Sequence, residues 1–488
     1  MIGAMEYVRR PCDAVARKTS AADEVVTRSA RPGWILAATI LGSGMTFIDS
    51  TVVNVVLPVM GGQLQARPAQ LQWIVEAYLL LLTSLMLLGG SLGDRYGRRR
   101  LFVTGTIVFA AASAWCGIAP GVTQLIAARA LQGAGAALLV PGSLAIISSS
   151  FGERERGAAI GAWAAGTSIA AGGGPVLGGW LVEHLSWRWI FLINLPLAAV
   201  TVWIAVTRLT ETGGRDRGCA LDWRGACLAT GGLAALVFGL VHAGSHGLGN
   251  PRSVVTCAIG AVLLVAFVVL ELRLEKRSGA GAAMMPLSLF SSPAFAGTNV
   301  LTVFLYAALS MVFFVLPFTL IERHAYSIVQ ASTAMLPFVL VMFVISPWSG
   351  RLGDRHGPRL PLVVGPLIVA GGYLLMMRVA EDGRYLASVL PGVITMSVGM
   401  AISVAPLTMT VMAAVDARHS GVASGINNAV SRLASLLAVA IVGLLSAGQF
   451  ATALARTAAV AAVLAVLGAA SSAILLRGDS DGGKPEQT

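Results

Sequence analysis

Fourteen long apolar segments constrain the fold of this chain more than any other feature. A helix needs about 20 apolar residues to cross the hydrocarbon core of a bilayer, and only 12% of the 488 residues are charged, about half the fraction usual in soluble domains. Because lipid cannot satisfy unpaired backbone amides, we expect these segments to be helices, and hence an all-α membrane protein. The predicted spans are 34–58, 71–92, 101–119, 122–148, 157–182, 187–207, 222–243, 253–271, 293–318, 328–350, 360–378, 385–410, 420–446 and 450–476.

The positions of the 34 lysines and arginines predict the orientation. With the N-terminus in the cytoplasm, most of them lie in the tails and cytoplasmic loops, and the even number of spans places both termini there. We therefore expect a multi-pass protein of the cell membrane, with a polar N-terminal tail and no cleaved signal. Since topology accounts for the basic residues, no nucleic-acid partner is expected. The exceptions lie outside (Arg67, Arg188, Arg252, Arg323, Arg378 and Arg384) or within predicted helices (Arg129, Arg432 and Arg456).

A charged, glycine-rich stretch occurs twice. "GGSLGDRYGRRRLF", Gly89 to Phe102, follows predicted span 2, and "SGRLGDRHGPRLPL", from Ser349, follows span 10. Matching loops predict an internal repeat of two six-helix blocks with two inserted helices between them. A simple topology anchor would explain the arginines but not the glycines and aspartates. The predicted divisions are a tail at 1–33, blocks at 34–207 and 293–476, a linker with two helices at 208–292, and a tail at 477–488.

Several classes of chemistry have no sequence support. The five cysteines form no CxxC pair, which argues against a zinc site or a disulfide framework. No GxxxxGK[ST] loop is present, so no Walker-type ATP site is expected. The six histidines fall in predicted loops or near helix ends. We expect no cofactor, no metal and no enzymatic activity.

Six stretches resemble signatures of the major facilitator superfamily, specifically of its fourteen-helix drug:proton antiporters of the EmrB/QacA type. The repeated stretch resembles motif A, although its second copy reads GPR where GRR is usual. After Arg432 the family usually has a glycine pair, and this chain reads LASLLAVA. The other stretches are "FIDSTVVNVVLP" (47–58), "RALQGAGAA" (129–137, motif B), "AAGGGPVLGGW" (170–180, motif C), "SWRWIFLINLP" (186–196) and "HSGVASGINNAVSRL" (419–433).

The resemblance assigns roles to motifs A and C. Motif A would be a conformational latch, in which Asp94 caps the start of span 13 and Asp354 the start of span 5. The predicted latch residues are Gly90, Gly93, Asp94, Arg95, Gly97, Arg98, Gly353, Asp354 and Arg355. Motif C would be an antiport determinant sealing the outer leaflet, or an ordinary small-residue packing face. Its residues are Gly174, Pro175, Gly178 and Gly179.

Three ionisable residues lie inside predicted helices of the first block. At 1.5 Å per residue, Asp49, Glu76 and Arg129 all fall about 8–13 Å from the outer helix ends, so they could form one proton-coupling network. Alternatively, Glu76 is hydrated near the surface and Arg129 is structural. Asp49 and Glu76 are also predicted to bind substrate. Arg432 is predicted either to bind an anionic ligand or to have a packing role.

The second block contributes aromatic residues and methionines. Phe314 and Met335 are predicted to line an adaptable substrate cavity, with core or lipid-facing packing as the alternative. Together these features predict a monomeric, proton-coupled exporter of small amphipathic or cationic drugs, working by alternating access. An exporter of a metabolite, such as an amino acid, a siderophore or a self-made natural product, would share every motif. A non-transporting membrane sensor is the remaining alternative.

Overall fold

The computed structural model describes residues 32–211, 222–278, 287–415, 420–447 and 449–476, and these are almost entirely helical. Each of the fourteen predicted spans corresponds to a helix, or to two consecutive helices, which confirms the all-α membrane fold. The helices are α1 Pro32–Leu64, α2 Pro68–Tyr96, α3 Arg98–Ile118, α4 Val122–Ser150, α5 Glu153–His184, α6 Trp189–Arg208, α7 Trp223–His246, α8 Pro251–Ser278, α9 Pro293–Phe318, α10 Ile328–Thr333 continued by Leu336–His356, α11 Arg359–Met376, α12 Leu390–Ala413, α13 Ser420–Ser446 and α14 Leu454–Leu475.

Thirteen spans among the described residues are long and apolar enough to cross a membrane. The remaining predicted span is α5, a helix of 32 residues rich in glycine and alanine. At 1.5 Å per residue it is about 48 Å long, so its length suffices to cross the hydrocarbon. The chain is therefore a multi-pass membrane protein.

Helix boundaries differ from the prediction at the two repeated stretches. The first was expected to be a loop, but α2 continues to Tyr96 and α3 begins at Arg98, leaving Gly97 alone between them. Gly97 has φ +108°, a conformation that only glycine adopts without strain. At the second stretch α10 continues to His356, and Gly357 has φ +75°. Gly97 alone replaces the first predicted loop, and Gly357 with Pro358 replaces the second.

The helices pack in two groups. In the first, α4 packs on α2 and α3, and α1 packs on α5 and α6. In the second, α9 packs on α13 and α14, and α12 packs on α10 and α11. The α7–α8 hairpin joins them, because α7 contacts both α2 and α13. The residue boundaries proposed above for the domains stay a prediction.

Helix α13 packs closely although it lacks the expected glycine pair. Asn427 donates a 2.7 Å hydrogen bond to Thr302 of α9, and Ser310 of α9 donates a 2.8 Å bond to Ser435. Nearer its C-terminus, a Cβ on Gly244 of α7 would lie 2.7 Å from the carbonyl carbon of Gly443. Polar side chains and this close contact between Gly244 and Gly443 take the place of the expected glycine pair.

Among the described residues, the close contacts between the two groups lie towards one end of the bundle. We call the end at which α1 begins, at Pro32, the proximal end, and the end at which it finishes, at Leu64, the distal end. In the distal half, Gln72 of α2 donates a 2.8 Å hydrogen bond to the carbonyl oxygen of Val439 in α13. A Cβ on Gly179 of α5 would lie 2.5 Å from the Ser332 hydroxyl of α10. These contacts close the distal side.

Candidate functional site

A buried ion pair lies at the centre of the first helix group. Asp49 of α1 and Arg129 of α4 are each 1% exposed, and Nη1 of Arg129 donates a short hydrogen bond to Oδ2 of Asp49. Arg129 also donates to Oε1 of Gln132 at 2.7 Å and to the carbonyl oxygen of Ile74 at 3.1 Å. Because a lone charge at mid-membrane costs about 2.5–3.5 kcal/mol on insertion scales, pairing is what makes this burial tolerable.

Gln132 completes the network around the pair. Its position three residues after Arg129 places both side chains on one face of α4. The amide nitrogen of Gln132 donates to Oδ1 of Asp49 at 2.9 Å and to the Ser113 hydroxyl of α3 at 2.8 Å. Both carboxylate oxygens of Asp49 are thereby satisfied. The sequence prediction missed Gln132, although the quoted stretch RALQGAGAA contains it.

Aromatic rings enclose the guanidinium of Arg129. Its Cζ lies 4.3 Å from the ring centroid of Tyr78 in α2 and 5.8 Å from that of Phe191 in α6. A desolvated cation–π contact of this kind contributes about 2 kcal/mol. The hydroxyl of Tyr78 donates to the carbonyl oxygen of Thr46 at 3.4 Å. Tyr78 therefore links α2 to both α1 and α4, and the sequence prediction missed it as well.

Glu76 does not belong to this network. It is 0% exposed, and neither carboxyl oxygen has a hydrogen-bond partner in the described part of the chain. The expected three-residue network is therefore wrong for Glu76, and so is the alternative of a hydrated surface group. Glu76 lies one turn from Gln72, which bonds to α13, and one turn from Leu80, which belongs to the same hydrophobic cluster as Leu436 of α13. It thus lies on the face of α2 that meets α13, where an unpartnered buried carboxyl is tolerable only in its neutral form.

Arg432 of α13 faces this assembly from the other helix group. Its guanidinium carbon lies 5.9 Å from the ring centroid of Phe47 in α1. Its Nε is shielded from solvent without a hydrogen-bond partner, although the side chain as a whole remains partly exposed. No ion pair to Arg432 occurs among the described residues. Arg432, whose hydrogen-bonding capacity is not fully used, thus lies midway along α13, between the two groups.

A cavity of about 130 Å³ lies distal to Arg432, between α1, α5, α9 and α10. Its lining is mostly apolar and includes Met335, whose role in binding substrate stays a prediction. Phe314 was expected there too, but it is buried against Phe318 and Phe450, with ring centroids 5.6 and 5.2 Å away. Its neighbour Phe313 faces the cavity instead, because adjacent helical residues point about 100° apart. Other lining residues are Thr51, Asn54, Pro175 and Ser332.

The motif C glycines lie where α5 packs on its neighbours. A Cβ on Gly174 would lie 3.1 Å from the Cα of Ile48 in α1, and one on Gly178 would overlap Val52. Gly179 faces α10, as described above. These positions fit the packing-face interpretation, and they also fit a distal seal, because α5 joins α1 of one group to α10 of the other.

At the proximal end, an acidic residue absent from the prediction engages motif A. The Glu211 carboxylate accepts hydrogen bonds from the backbone N–H groups of Arg99, at 3.0 Å, and Arg100, at 3.2 Å. Both arginine side chains lie within 4 Å of it, at 3.9 and 3.8 Å. A Cβ on Gly97 would lie 2.6 Å from the same carboxylate. Glu211 therefore caps the N-terminus of α3, where the helix dipole favours an anion.

The remaining latch residues are only partly described. A Cβ built on Gly90 would lie 3.9 Å from the Cβ of Pro141. The guanidinium carbon of Arg95 lies 5.7 Å from the ring centroid of Tyr96. Arg98 donates to the carbonyl oxygen of Ala145 at 3.2 Å. The side chains of Asp94, Asp354 and Arg355, the surroundings of Gly353, and residues 416–419 before α13 lie outside the described residues. The latch across the two groups stays a prediction.

Metal chemistry finds no support in the described part of the chain, where no group of three or more His, Cys, Asp or Glu side chains is arranged to hold an ion.

Residues 39–439 match the family model of the Major Facilitator Superfamily. The chain is 34% identical over 414 residues to "Multidrug resistance protein Stp" of Mycobacterium tuberculosis (strain CDC 1551 / Oshkosh), covering 84% of this chain and 74% of that protein. It is 32% identical to "Tetracenomycin C resistance and export protein" of Streptomyces glaucescens (86% and 77% covered). It is 33% identical to a puromycin resistance protein of Streptomyces alboniger (87% and 84% covered).

Solved transporter structures share the fold. A bacterial homologue of the human lysosomal transporter Spinster superposes with a TM-score of 0.66 at 16% identity, covering 91% of this chain and 97% of that one. The xylose transporter XylE from E. coli superposes with a TM-score of 0.62 at 14% identity, covering 90% and 98%.

Proposed function

The chain belongs to the Major Facilitator Superfamily, and we propose that it exports small amphipathic drugs or antibiotics from the cytoplasm in exchange for protons. Three relatives are named for resistance to, or export of, such compounds, which favours this class over amino acids or siderophores. The proximal end faces the cytoplasm, as the distribution of basic residues suggests. The protein works as a monomer in the cytoplasmic membrane.

The observation that carries the coupling mechanism is the buried pair of Asp49 and Arg129. A proton on Asp49 would remove the negative charge and leave the Arg129 cation with only neutral acceptors. Breaking a buried pair by removing one partner costs about 3–5 kcal/mol. Protonation of Asp49 therefore drives α1 and α4 to rearrange, whereas loss of the proton restores the paired arrangement.

Helix α1 connects the proton site to the substrate site. Asp49 lies on it between Phe47, which faces Arg432, and Thr51, which lines the distal cavity. A shift of α1 on protonation therefore alters both surfaces at once. The paired state has a closed distal side and is the state that accepts substrate from the cytoplasm. Protonation from outside accompanies the distal-open state and substrate release.

Glu76 is a second proton-binding group, which acts at the contact between α2 and α13. While the distal side is closed, its carboxyl has no cation and no hydrogen-bond donor among the described residues, so it must be neutral. Opening the distal side would admit water and permit ionisation. Motif C seals this side, and motif A latches the proximal side in the opposite state.

The driving force is sufficient for concentrative export. One charge moving through 100 mV gains about 2.3 kcal/mol, and each pH unit adds about 1.4 kcal/mol. One proton entering under both gradients thus supplies roughly 3.7 kcal/mol, which sustains a substrate gradient of several hundred-fold.

Inverted membrane vesicles test this function. A pH gradient, acidic inside, is imposed in the presence of a panel of antibiotics and fluorescent dyes, and uptake is compared with vesicles lacking the protein. We expect uptake of some amphipathic panel members that collapses when the gradient is dissipated. Uptake that persists without the gradient would contradict proton coupling, and no uptake of any panel member would contradict drug export.

A further inference from the structure

Arg432 differs from Arg129 in how its charge is satisfied. Arg129 is sealed by Asp49, Gln132 and a backbone carbonyl, as described above. Arg432 has an aromatic ring at 5.9 Å, no ion-pair partner among the described residues and an unpartnered Nε, and its side chain stays partly exposed. Arg129 is therefore part of the core, whereas Arg432 keeps unused hydrogen-bonding capacity.

The surroundings of Arg432 are aromatic and partly accessible. Phe47 of α1 and Tyr306 of α9 are both partly exposed, unlike the buried Asp49. The rings of Tyr306 and Tyr78 lie within electrostatic range of the guanidinium. Arg432 and the three aromatic residues Phe47, Tyr306 and Tyr78 lie near the middle of their helices. This is the level at which transporters of this architecture bind substrate.

Arg432 and the distal cavity both lie beside α1 and α9, and we call the strip along which these two helices meet the seam. On α1, Phe47 and Asn54 are seven residues apart, so they share a face and are separated by about 10 Å along the axis. On α9, Tyr306 and Phe313 have the same spacing, and both helices run from the proximal to the distal end. Asn54 and Phe313 line the cavity. The seam therefore has a cationic, aromatic part at mid-depth and a mostly apolar part about 10 Å further on.

The charge available to a ligand in this seam is positive. Asp49 is neutralised by Arg129, and Glu76 is fully buried away from the cavity. A guanidinium binds planar carboxylates through paired, charge-assisted hydrogen bonds. A cationic ligand would instead meet an uncompensated like charge.

We infer that the exported substrate is an acidic amphiphile, with a carboxylate or ionised enol on Arg432 and an apolar ring system in the distal cavity. This inference rests on the proposed function and names its substrate class. A cavity of 130 Å³ is close to the size that accommodates one benzene-sized ring. The ligand therefore places its acidic group about 10 Å from the far edge of that ring.

A matched pair of probes tests the inference by binding, which needs no transport. Biphenyl-4-carboxylate and biphenyl-4-carboxamide each carry a terminal benzene ring at the far end from the acid or amide group, have nearly the same shape and differ in charge. Binding to the purified full chain is measured by isothermal titration calorimetry, for the unaltered protein and for Arg432→Gln and Arg432→Lys. We expect the unaltered protein to bind the acid at least ten-fold more tightly than the amide. Arg432→Gln should remove this preference while leaving amide binding within two-fold, and Arg432→Lys should retain part of it.

A cavity variant is the matched control. Met335→Ala should weaken the acid and the amide by the same factor, because Met335 lines only the apolar part. If Arg432→Gln does not fold, as judged by thermal unfolding, the ratio of acid affinity to amide affinity in Arg432→Lys is used instead. The inference requires this ratio to be lower than that of the unaltered protein. Equal binding of the two probes by the unaltered protein, no binding of the acid, or an acid preference that survives in Arg432→Gln would each overturn the inference. An acid preference without pH-driven uptake in vesicles would support this site and contradict the proposed export.

Discussion

Gln72 of α2 donates a 2.8 Å hydrogen bond to the carbonyl oxygen of Val439 in α13, and so joins the two helix groups across their distal contact. Gln72 is 2% exposed, and Gly443 lies beside its amide. The bond is available only while the distal side is closed. It therefore biases the equilibrium between the two transport states without touching the proton site.

Replacing Gln72 should open the distal side. Gln72→Leu keeps a similar volume and removes a buried hydrogen bond with a net value of about 1 kcal/mol, so the distal-open population should rise about five-fold. Spin labels at Arg67 and Gln449, in a background without native cysteines, would report the longer distance. An unchanged distance distribution would show that this contact does not hold the distal side closed.

Glu76 should make distal closure sensitive to pH. The neutral carboxyl is compatible with its sealed position, whereas the ionised form is not, so raising the pH should favour distal opening. Glu76→Gln imitates the neutral acid and should abolish this opening at high pH, without loss of thermal stability, whereas the opening at low pH that accompanies protonation of Asp49 should remain. The same label pair measures both. An opening at high pH that remains in Glu76→Gln would assign that titration to another group.

Gly97 and Glu211 should be coupled in stability. Gly97→Ala forces a Cβ into a φ of +108° and against the Glu211 carboxylate, and the backbone conformation alone costs about 1–2 kcal/mol. Glu211→Ala removes both the helix cap and the steric conflict. In a double-mutant cycle on thermal unfolding, Gly97→Ala should therefore cost less in the Glu211→Ala background. Strict additivity would mean that the two residues do not interact.

Gly179 and Ser332 should be coupled in the same way at the distal seal. Gly179→Ala introduces a Cβ 2.5 Å from the Ser332 hydroxyl, which hinders approach of α5 to α10. We expect slower export and a larger distal-open population, with recovery in the Gly179→Ala/Ser332→Gly double variant. If the double variant is no better than the single one, the glycine acts through something other than this contact.

The fold could be predicted largely from local features, because apolar length and the distribution of charge act along the sequence. The one-residue break at Gly97 could not, since nothing in the sequence distinguishes a short loop from a glycine with positive φ. Shared depth placed Asp49, Arg129 and Glu76 in one possible network, of which the first two are paired. Their satisfaction by Gln132, and the exclusion of Glu76, depend on helix rotation, which depth does not fix.

The same limit explains the remaining differences. Phe313 and Phe314 are adjacent in the sequence, and only the orientation of α9 decides which of them lines the cavity. Glu211 lies more than 100 residues from the arginines that it contacts, so no local pattern signals the cap. Side chains that act between helices are thus the least predictable part of the site.

Asp49 provides the most direct test of the proposed export mechanism. A compound identified in vesicles is followed in proteoliposomes in two ways: pH-gradient-driven transport, and exchange of labelled for unlabelled compound without a gradient. The unaltered protein should perform both. Asp49→Asn should lose gradient-driven transport at least a hundred-fold and retain exchange. Asp49→Asn/Arg129→Gln, which removes both charges, should recover thermal stability but not coupling. Gradient-driven transport by Asp49→Asn at the rate of the unaltered protein would contradict the assignment of the coupling proton to this carboxylate.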